Sequence, residues 1–452
     1  MERLIGRGSS KDIFWQEISG QGLRGRDVDG AWLWERLFAD SPVGVLLDCP
    51  LPGPLARYAI AAGFPAQTYT AGVGEVGPLL TRLEVPQAVA APAGIPFAGG
   101  HLGWLGYDWA WELEKLPQRL ADPLPWPVAF WFEPSQFAVW DSQRRTLWLG
   151  ALSAAGLRDL QQRWQTGSAP ESKPPWRAGG LSWLTEARAY REAVQRVKAC
   201  IEVGDIFQAN LSLRFQVAFG GDGWATYRQL RAIDPAPFAS YWRTPWGEIL
   251  SASPERLLQV QPTGGTQRLA TRPIAGTRRR GDTLQGDADL AAELLATVKE
   301  RTEHLMLVDL ARNDLGRVCR WGTVQVDELY TIERYARVMH LVSNVQGESD
   351  RPWGEAVAAL FPGGTITGCP KVRCMEILEE VEPVRRSLFY GSLGYIDYRG
   401  HSDLNILIRT LLRTGDTLYG QVGAGIVADS DPEREWEECL HKAAALCQAI
   451  GL

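Results

Sequence analysis

The chain has 452 residues, of which 45% are hydrophobic and 22% charged, and a formal net charge of −6. These values describe a globular protein with one large core or two, and the acidic balance leaves no basic field for nucleic acid, so an anionic ligand must be held by local groups. The seven cysteines include no CxxC pair and the five histidines no HExxH, which argues for free thiols in a reducing compartment and against zinc; a metal, if used, would sit among carboxylates and be a hard ion such as Mg²⁺.

In chain order, Met1–Gly8 lacks the apolar core of a signal peptide, and no later apolar run reaches membrane-spanning length, so a cytoplasmic protein without a membrane partner is expected. Residues 1–165 mix strand-like runs, Val43–Leu47 and Val128–Phe132, with Pro and Gly punctuation; their tryptophans read as core residues. The glycine-dense stretch Pro96–Asp108 is not followed by GK[ST] and does not support a phosphate loop. Residues 166–180 read as a linker, separating this N-terminal region from a catalytic region, 181–452. A helix is expected from about Thr185 to Gly204, then a strand Ile206–Phe215, and further strands through Ile249 and Val260. From about Asp289 to Leu310 the pattern predicts one helix with an apolar stripe at Leu294, Val298 and Leu305 and Glu303 opposite. Met306, Leu307 and Leu310 make that opposite side apolar too. A Glu buried there needs a cation or a hydrogen-bond partner, which makes Glu303 a candidate metal ligand.

Phe361–Lys371 is a loop entering a short helix that ends before Pro383. Strands are expected near 388–398, 404–412 and 417–427, and Arg409, inside the middle one, is unusual there unless it faces an anion. In the last strand Gly423 and Gly425 bare the backbone, and Asp431-Pro432 starts the last helix. Trp436, Leu440, Ala443 and Cys447 form the stripe expected to pack on the sheet. Glu435, Glu438 and Lys442 share another face, either a solvated ion-pair face or, beside the bare backbone, a seat for a metal-bound anion.

Taken together, Ser253-Pro254-Glu255, Pro273-Ile274-Ala275-Gly276-Thr277, the run Glu303–Asp314, Val338–Ser343 and Gly423–Val427 resemble the chorismate-utilising enzymes, the family of the anthranilate, aminodeoxychorismate, isochorismate and salicylate synthases. The resemblance implies an α+β fold of two β-sheets packed as a sandwich with flanking helices. It implies Mg²⁺ on Glu303 and Glu438, with Glu435 assisting through water, holding the ring carboxylate of chorismate. Tyr395, Arg409 and the amides around Gly423 and Gly425 would take the other carboxylate, and Thr365 and Lys442 would line the site. Glu255 matches the acid that protonates the departing 4-hydroxyl, and His340 an active-site His near the ring. Gln208 stands where isochorismate and salicylate synthases carry a Lys base for water, which points to ammonia as nucleophile.

Gln208–Leu211 and Ala236-Pro237-Phe238 resemble the aminodeoxychorismate type. The implied reaction is amination of chorismate to 4-amino-4-deoxychorismate, on the path to para-aminobenzoate and folate. The chain shows no Cys-His-Glu glutaminase signature, so ammonia from glutamine would come from a separate amidotransferase subunit. Against this type stands Ala275, where well-known aminodeoxychorismate synthases carry a nucleophilic Lys in a motif closed by Thr277. With Ala there, ammonia could attack C2 and give anthranilate and pyruvate, the rival reading. A rival of another class is a non-catalytic sensor that binds a dicarboxylate. Leu47-Asp48 lies where tryptophan-binding members carry an effector motif, a match too short to predict feedback.

Overall fold

The structure, a computed structural model, describes residues 11–23, 27–51, 55–84, 87–167, 179–335 and 337–452. The N-terminal stretch Met1–Gly8 and most of the expected linker, 168–178, lie outside the described residues.

The strands form one continuous antiparallel sheet whose two halves, a first and a second sheet, meet at one long strand pair, Tyr58–Ala71 with Ala129–Asp141. The first sheet runs from Leu181–Trp183 through Gln208–Ala218, Thr417–Ile426, Thr410–Thr414, Gly247–Ser253, Phe238–Thr244 and Gly44–Leu47 to that pair, and continues into Thr146–Ala151 and Phe14–Ile18. The second leaves the same pair through Gly100–Leu105 and runs through Ser392–Asp397, Ser402–Asn405, Arg256–Thr263, Thr266–Arg272 and Val338–Ser349. Ile274–Arg279 and Gln325–Arg334 both pair with Val338–Ser349 and end it. The sheet is not closed, and strands from both sides of residue 165 enter both halves. This is the expected α+β architecture of packed sheets with flanking helices.

Successive strand residues point to opposite faces, so each central strand feeds two cores. Val45, Trp242, Ile249 and Leu412 enter an aromatic core with Trp104, Phe130, Trp131 and Phe132. Their neighbours Leu46, Tyr241, Leu250 and Leu411 enter a second core, which receives Tyr190 and Val194 from the helix Ala187–Glu202, Tyr227 and Leu230 from Gly223–Ile233, and Cys439 and Ala443 from Pro432–Ala449. The N-terminal tryptophans are core residues, as the sequence predicts.

Three elements differ from the sequence reading. The expected helix from Asp289 to Leu310 is two helices, Leu284–Ala296 and Val298–Gly316, broken at Thr297, whose backbone is extended. The break resets the helical phase: Val298 and Leu305 are exposed, and His304, Leu307, Val308 and Leu315 are buried instead. Arg278 spans the break, donating to Glu293 at 3.0 Å and Glu300 at 3.1 Å. The strand expected over 404–412 is interrupted between Asn405 and Thr410, because Arg409 adopts φ +51°. The last helix is turned from its expected face: Cys439, Ala443, Leu446 and Ala449 are buried and Leu440 is exposed. Trp436 stands at the border against Trp183 and Tyr190, and Cys439 beneath it meets the Tyr190 hydroxyl at 3.1 Å. Among the described residues, no helix is long and apolar enough to cross a membrane.

Candidate active site

Strands Gln208–Ala218 and Thr417–Ile426 pair so that Gly423 lies opposite Ser212 and Gly425 opposite Asn210. A Cβ on Gly423 would strike Asn210 Oδ1 and stand 2.8 Å from the Tyr390 hydroxyl; one on Gly425 would stand 2.9 Å from Gln208 Nε2. The two glycines therefore leave room for the side chains of Asn210, Tyr390 and Gln208. Asn210 Oδ1 and the Tyr390 hydroxyl are buried and have no protein partner, as polar atoms reserved for a ligand or ordered water do.

Tyr390 is a site residue that the sequence reading missed. The expected tyrosine, Tyr395, is elsewhere: its ring packs on Phe97 and lines a separate cavity of about 560 Å³ with Asp48, Arg256 and Asp403. No sequence signal separates the two tyrosines: Tyr390 stands ahead of the strand Ser392–Asp397 with φ +65°, a conformation that lifts it out of the strand's alternation. Asp48 belongs to that second cavity and is held by Arg231 at 2.5 Å, Tyr227 at 2.9 Å and its neighbour's amide, Cys49 N, at 2.8 Å.

Lys442 ties the last helix to the bare strand, donating to Gly423 O at 2.8 Å and pairing with Glu438 at 2.7 Å. Glu303, on the helix Val298–Gly316, reaches the same place with its side chain 31% exposed, 3.8 Å from Lys299. Burial raises its carboxyl, Lys299 opposes, and Glu300, Glu435 and Glu438 raise it further. Glu435 is likewise raised by burial and by Glu438, with a Ser430 hydrogen bond opposing. Three carboxylates from two helices thus share one field. Among the described residues no group of three or more His, Cys, Asp or Glu side chains is placed to hold a metal ion as it stands. The donors are all carboxylate oxygens, the ligand type of a hard ion such as Mg²⁺, which commonly takes only one or two protein carboxylates and keeps several waters.

The opposite wall comes from Ile274–Arg279 and Val338–Ser349. Between Ala275, opposite Leu341, and Thr277, opposite His340, the strand bulges at Gly276, where φ is +68°. The Thr277 hydroxyl lies 3.0 Å from His340 Nδ1, and His340 Nε2 is buried without a partner. Burial pushes His340 down to about 3, and the charges of Arg409 and Lys442 press the same way, so the imidazole is neutral.

Arg409 holds a left-handed backbone conformation, which costs a non-glycine residue about 1 kcal/mol or more and is found at functional positions. Its carbonyl accepts from Ala252 N at 3.0 Å. The guanidinium pairs with Asp234 at 3.2 Å and keeps its side chain 28% exposed, so a protein carboxylate already meets part of its charge. Its charge still reaches both His340 and Glu255. Glu255, 5% exposed, follows the strand Gly247–Ser253. Burial raises its carboxyl to about 8, against the opposing Thr365 hydroxyl, Ile274 amide and Arg409. Burial therefore favours the protonated form of Glu255 near neutral pH. With Thr365, Thr271, Leu307 and Leu310 it lines a small, partly open cavity of about 30 Å³, room for about one water.

The structure thus joins Gln208, Gly423, Gly425, Lys442, Glu303, Glu435 and Glu438 at one end and Glu255, Thr365, Arg409, His340 and Thr277 at the other, with Ala275 beside the bulge. The sequence model for "chorismate binding enzyme" matches residues 54–448. The chain belongs to the chorismate-binding enzyme family. This family member is 50% identical over 444 residues to an anthranilate synthase component I-like protein of Synechocystis, an alignment covering 95% of this chain and 90% of that one. The same organism has an anthranilate synthase component 1 that is 39% identical, over 81% of this chain and 79% of that one. The aminodeoxychorismate synthase component 1 of Bacillus subtilis is 42% identical over 370 residues, 79% of this chain and 78% of that one. Among solved structures, the anthranilate synthase component I of Streptococcus pneumoniae superposes with a TM-score of 0.78 at 29% identity, covering 88% of this chorismate-binding enzyme and 93% of that chain. A chorismate-utilising activity follows from family and fold together; the reaction is a finer matter.

Proposed function

We propose that this enzyme aminates chorismate with ammonia to 4-amino-4-deoxychorismate, with ammonia delivered by a glutamine amidotransferase subunit and with Mg²⁺ as cofactor. The observation that carries amination over mere binding is Glu255, whose acid would serve either ammonia reaction. The reaction expels a hydroxyl, a poor leaving group, and needs an acid that still holds its proton near neutral pH; burial provides that at Glu255. A sensor that only bound a dicarboxylate would have no use for it.

In this reading Arg409, the amides around Gly423 and Gly425, and the unpartnered Tyr390 hydroxyl hold the side-chain carboxylate. Neutral His340 and the small face of Ala275 border the ring, Thr277 fixes the imidazole through Nδ1, and Lys442 and Thr365 close the two ends. Mg²⁺ on Glu303 and Glu438, with Glu435 nearby, would neutralise the ring carboxylate and draw electron density from the conjugated ring. Gln208, a neutral amide beside Gly425, cannot serve as a base that activates water, which favours ammonia.

The choice of product rests on Gln208–Leu211 and Ala236-Pro237-Phe238, which resemble the aminodeoxychorismate type, and on the 42% identity to the Bacillus aminodeoxychorismate synthase. The second reading, anthranilate and pyruvate, is favoured by Ala275, by the anthranilate synthase names of both Synechocystis relatives and by the Streptococcus neighbour. Purified protein given chorismate, Mg²⁺ and ammonium, with products separated by mass, tests all three. A product retaining the enolpyruvyl group supports the proposal, fluorescent anthranilate promotes the second reading, and binding without turnover leaves the sensor.

A further inference from the structure

Behind the site lies a buried ion pair to which the mechanism above gives no role. Arg386 is 2% exposed and Glu382 is buried with it. Arg386 Nε donates to Glu382 Oε2 at 3.0 Å and Nη2 to Glu382 Oε1 at 2.7 Å. The same guanidinium donates from Nη1 to Ile366 O at 2.7 Å and from Nη2 to Asn210 O at 2.6 Å. Its carbon stands 4.7 Å from the ring centre of Tyr107 and 4.7 Å from that of Tyr390. Glu382 Oε1 also accepts from Ser212 N at 2.9 Å and Ser212 Oγ at 2.7 Å, and Gln421 Nε2 donates to that hydroxyl at 2.6 Å. Burial alone would weaken the Arg386 charge, but Glu382 and the two tyrosines outweigh it and hold the guanidinium firmly protonated.

The partners come from several walls of the site. Asn210 and Ser212 lie on the strand Gln208–Ala218, Gln421 on Thr417–Ile426, and Ile366 ends the turn that carries Thr365. Tyr390 offers its unpartnered hydroxyl beside Gly423, and Tyr107 comes from the N-terminal region. We infer that Arg386, with Glu382 as its counter-ion, is a positioning residue that sets the Asn210 strand, the Thr365 turn and the Tyr390 ring at fixed mutual distances. It makes the N-terminal region part of the site's support through Tyr107. Only a planar, multiply donating cation can serve, because a Lys ammonium cannot lie flat between two rings while reaching two carbonyls and a carboxylate. The inference rests on the reading that Asn210, Thr365 and Tyr390 face the substrate.

The test is a double-mutant cycle of Arg386→Lys with Tyr390→Phe, read as kcat and KM for chorismate at a temperature where circular dichroism shows every variant folded. We expect Arg386→Lys alone to raise KM about tenfold or more, and the Tyr390→Phe change to cost no more than about twofold once Lys is present, since the ring is already misplaced. Arg386→Ala should regain activity with added methylguanidinium and not with methylammonium. Arg386→Lys with kcat and KM near wild type and only a lower Tm, or a strictly additive cycle, would overturn the inference. If the wild type binds chorismate without turnover, the proposed function fails, and the same cycle read in chorismate affinity by calorimetry still decides the positioning role.

Discussion

Replacing Glu255 by Gln keeps the side chain's volume and removes its proton. At neutral pH most of the wild-type carboxyl is already neutral, since burial holds it at about 8, so the substitution exchanges one neutral group for another and the fold should not notice. Catalysis should notice: a positioned general acid contributes roughly 10²–10⁴-fold, and kcat should fall by that factor with the chorismate KM within a few-fold. The wild-type rate should decline as pH rises through about 8, where the acid loses its proton, and the variant's residual rate should lack that limb. Stability gives an independent reading. Between its ordinary 4.5 and about 8, the folded protein holds a proton that the unfolded chain has released, so raising the pH favours unfolding. The stabilisation is complete below the lower value and exhausted at the upper one, and across the window wild type should lose about 1.4 kcal/mol more per pH unit than Glu255→Gln. Denaturant unfolding at several pH values inside the window, together with chorismate consumption, measures both effects. A variant within tenfold of wild type, or parallel stability profiles for the two proteins, would refute the assignment.

Glu438→Gln should abolish turnover while leaving the circular dichroism spectrum unchanged, because it removes charge from an exposed carboxylate that the fold uses only to pair with Lys442; turnover within a few-fold of wild type at limiting Mg²⁺ would contradict the metal role. Gly423→Ala should raise the chorismate KM at least about tenfold, since its methyl takes the space of Asn210 Oδ1 and the Tyr390 hydroxyl, and an unchanged KM would place the substrate elsewhere. Arg409→Met should raise KM by orders of magnitude through loss of a charge-assisted partner, whereas a variant that loses stability with KM unchanged would make the pair with Asp234 its whole role. Ala275→Lys should not reduce the share of aminodeoxychorismate among the products, as mass analysis of both proteins would show.

What the sequence made legible was local. Glu303, Gly423, Gly425 and Lys442 could be singled out because each sits in a short run unusual for its element, a Glu on the apolar side of a helix or glycines inside a strand, whereas Glu255 stood out only through the family resemblance. What it hid was set by distant contacts. Asp234, which takes up the Arg409 charge, lies 175 residues earlier in the chain. Helical periodicity places residues relative to one another but not relative to the sheet, so the stripe through Leu440 was misjudged where the Tyr190 to Cys439 contact sets the rotation. The break at Thr297 leaves no proline or glycine to announce it; Arg278, from another strand, bridges it. Tyr390 and Tyr395 stand five residues apart in one tyrosine-rich run, and only the backbone turn at Tyr390 sends one to the site and the other to a second cavity.

The central claim is that ammonia enters and the enolpyruvyl group stays. Its most direct measurement is pyruvate released per chorismate consumed, with ammonium saturating, Mg²⁺ present and no partner protein. The account predicts chorismate loss with almost no pyruvate, and a product that gives para-aminobenzoate when a lyase is added. Pyruvate in equal amount to the chorismate consumed, with fluorescent anthranilate, would contradict it.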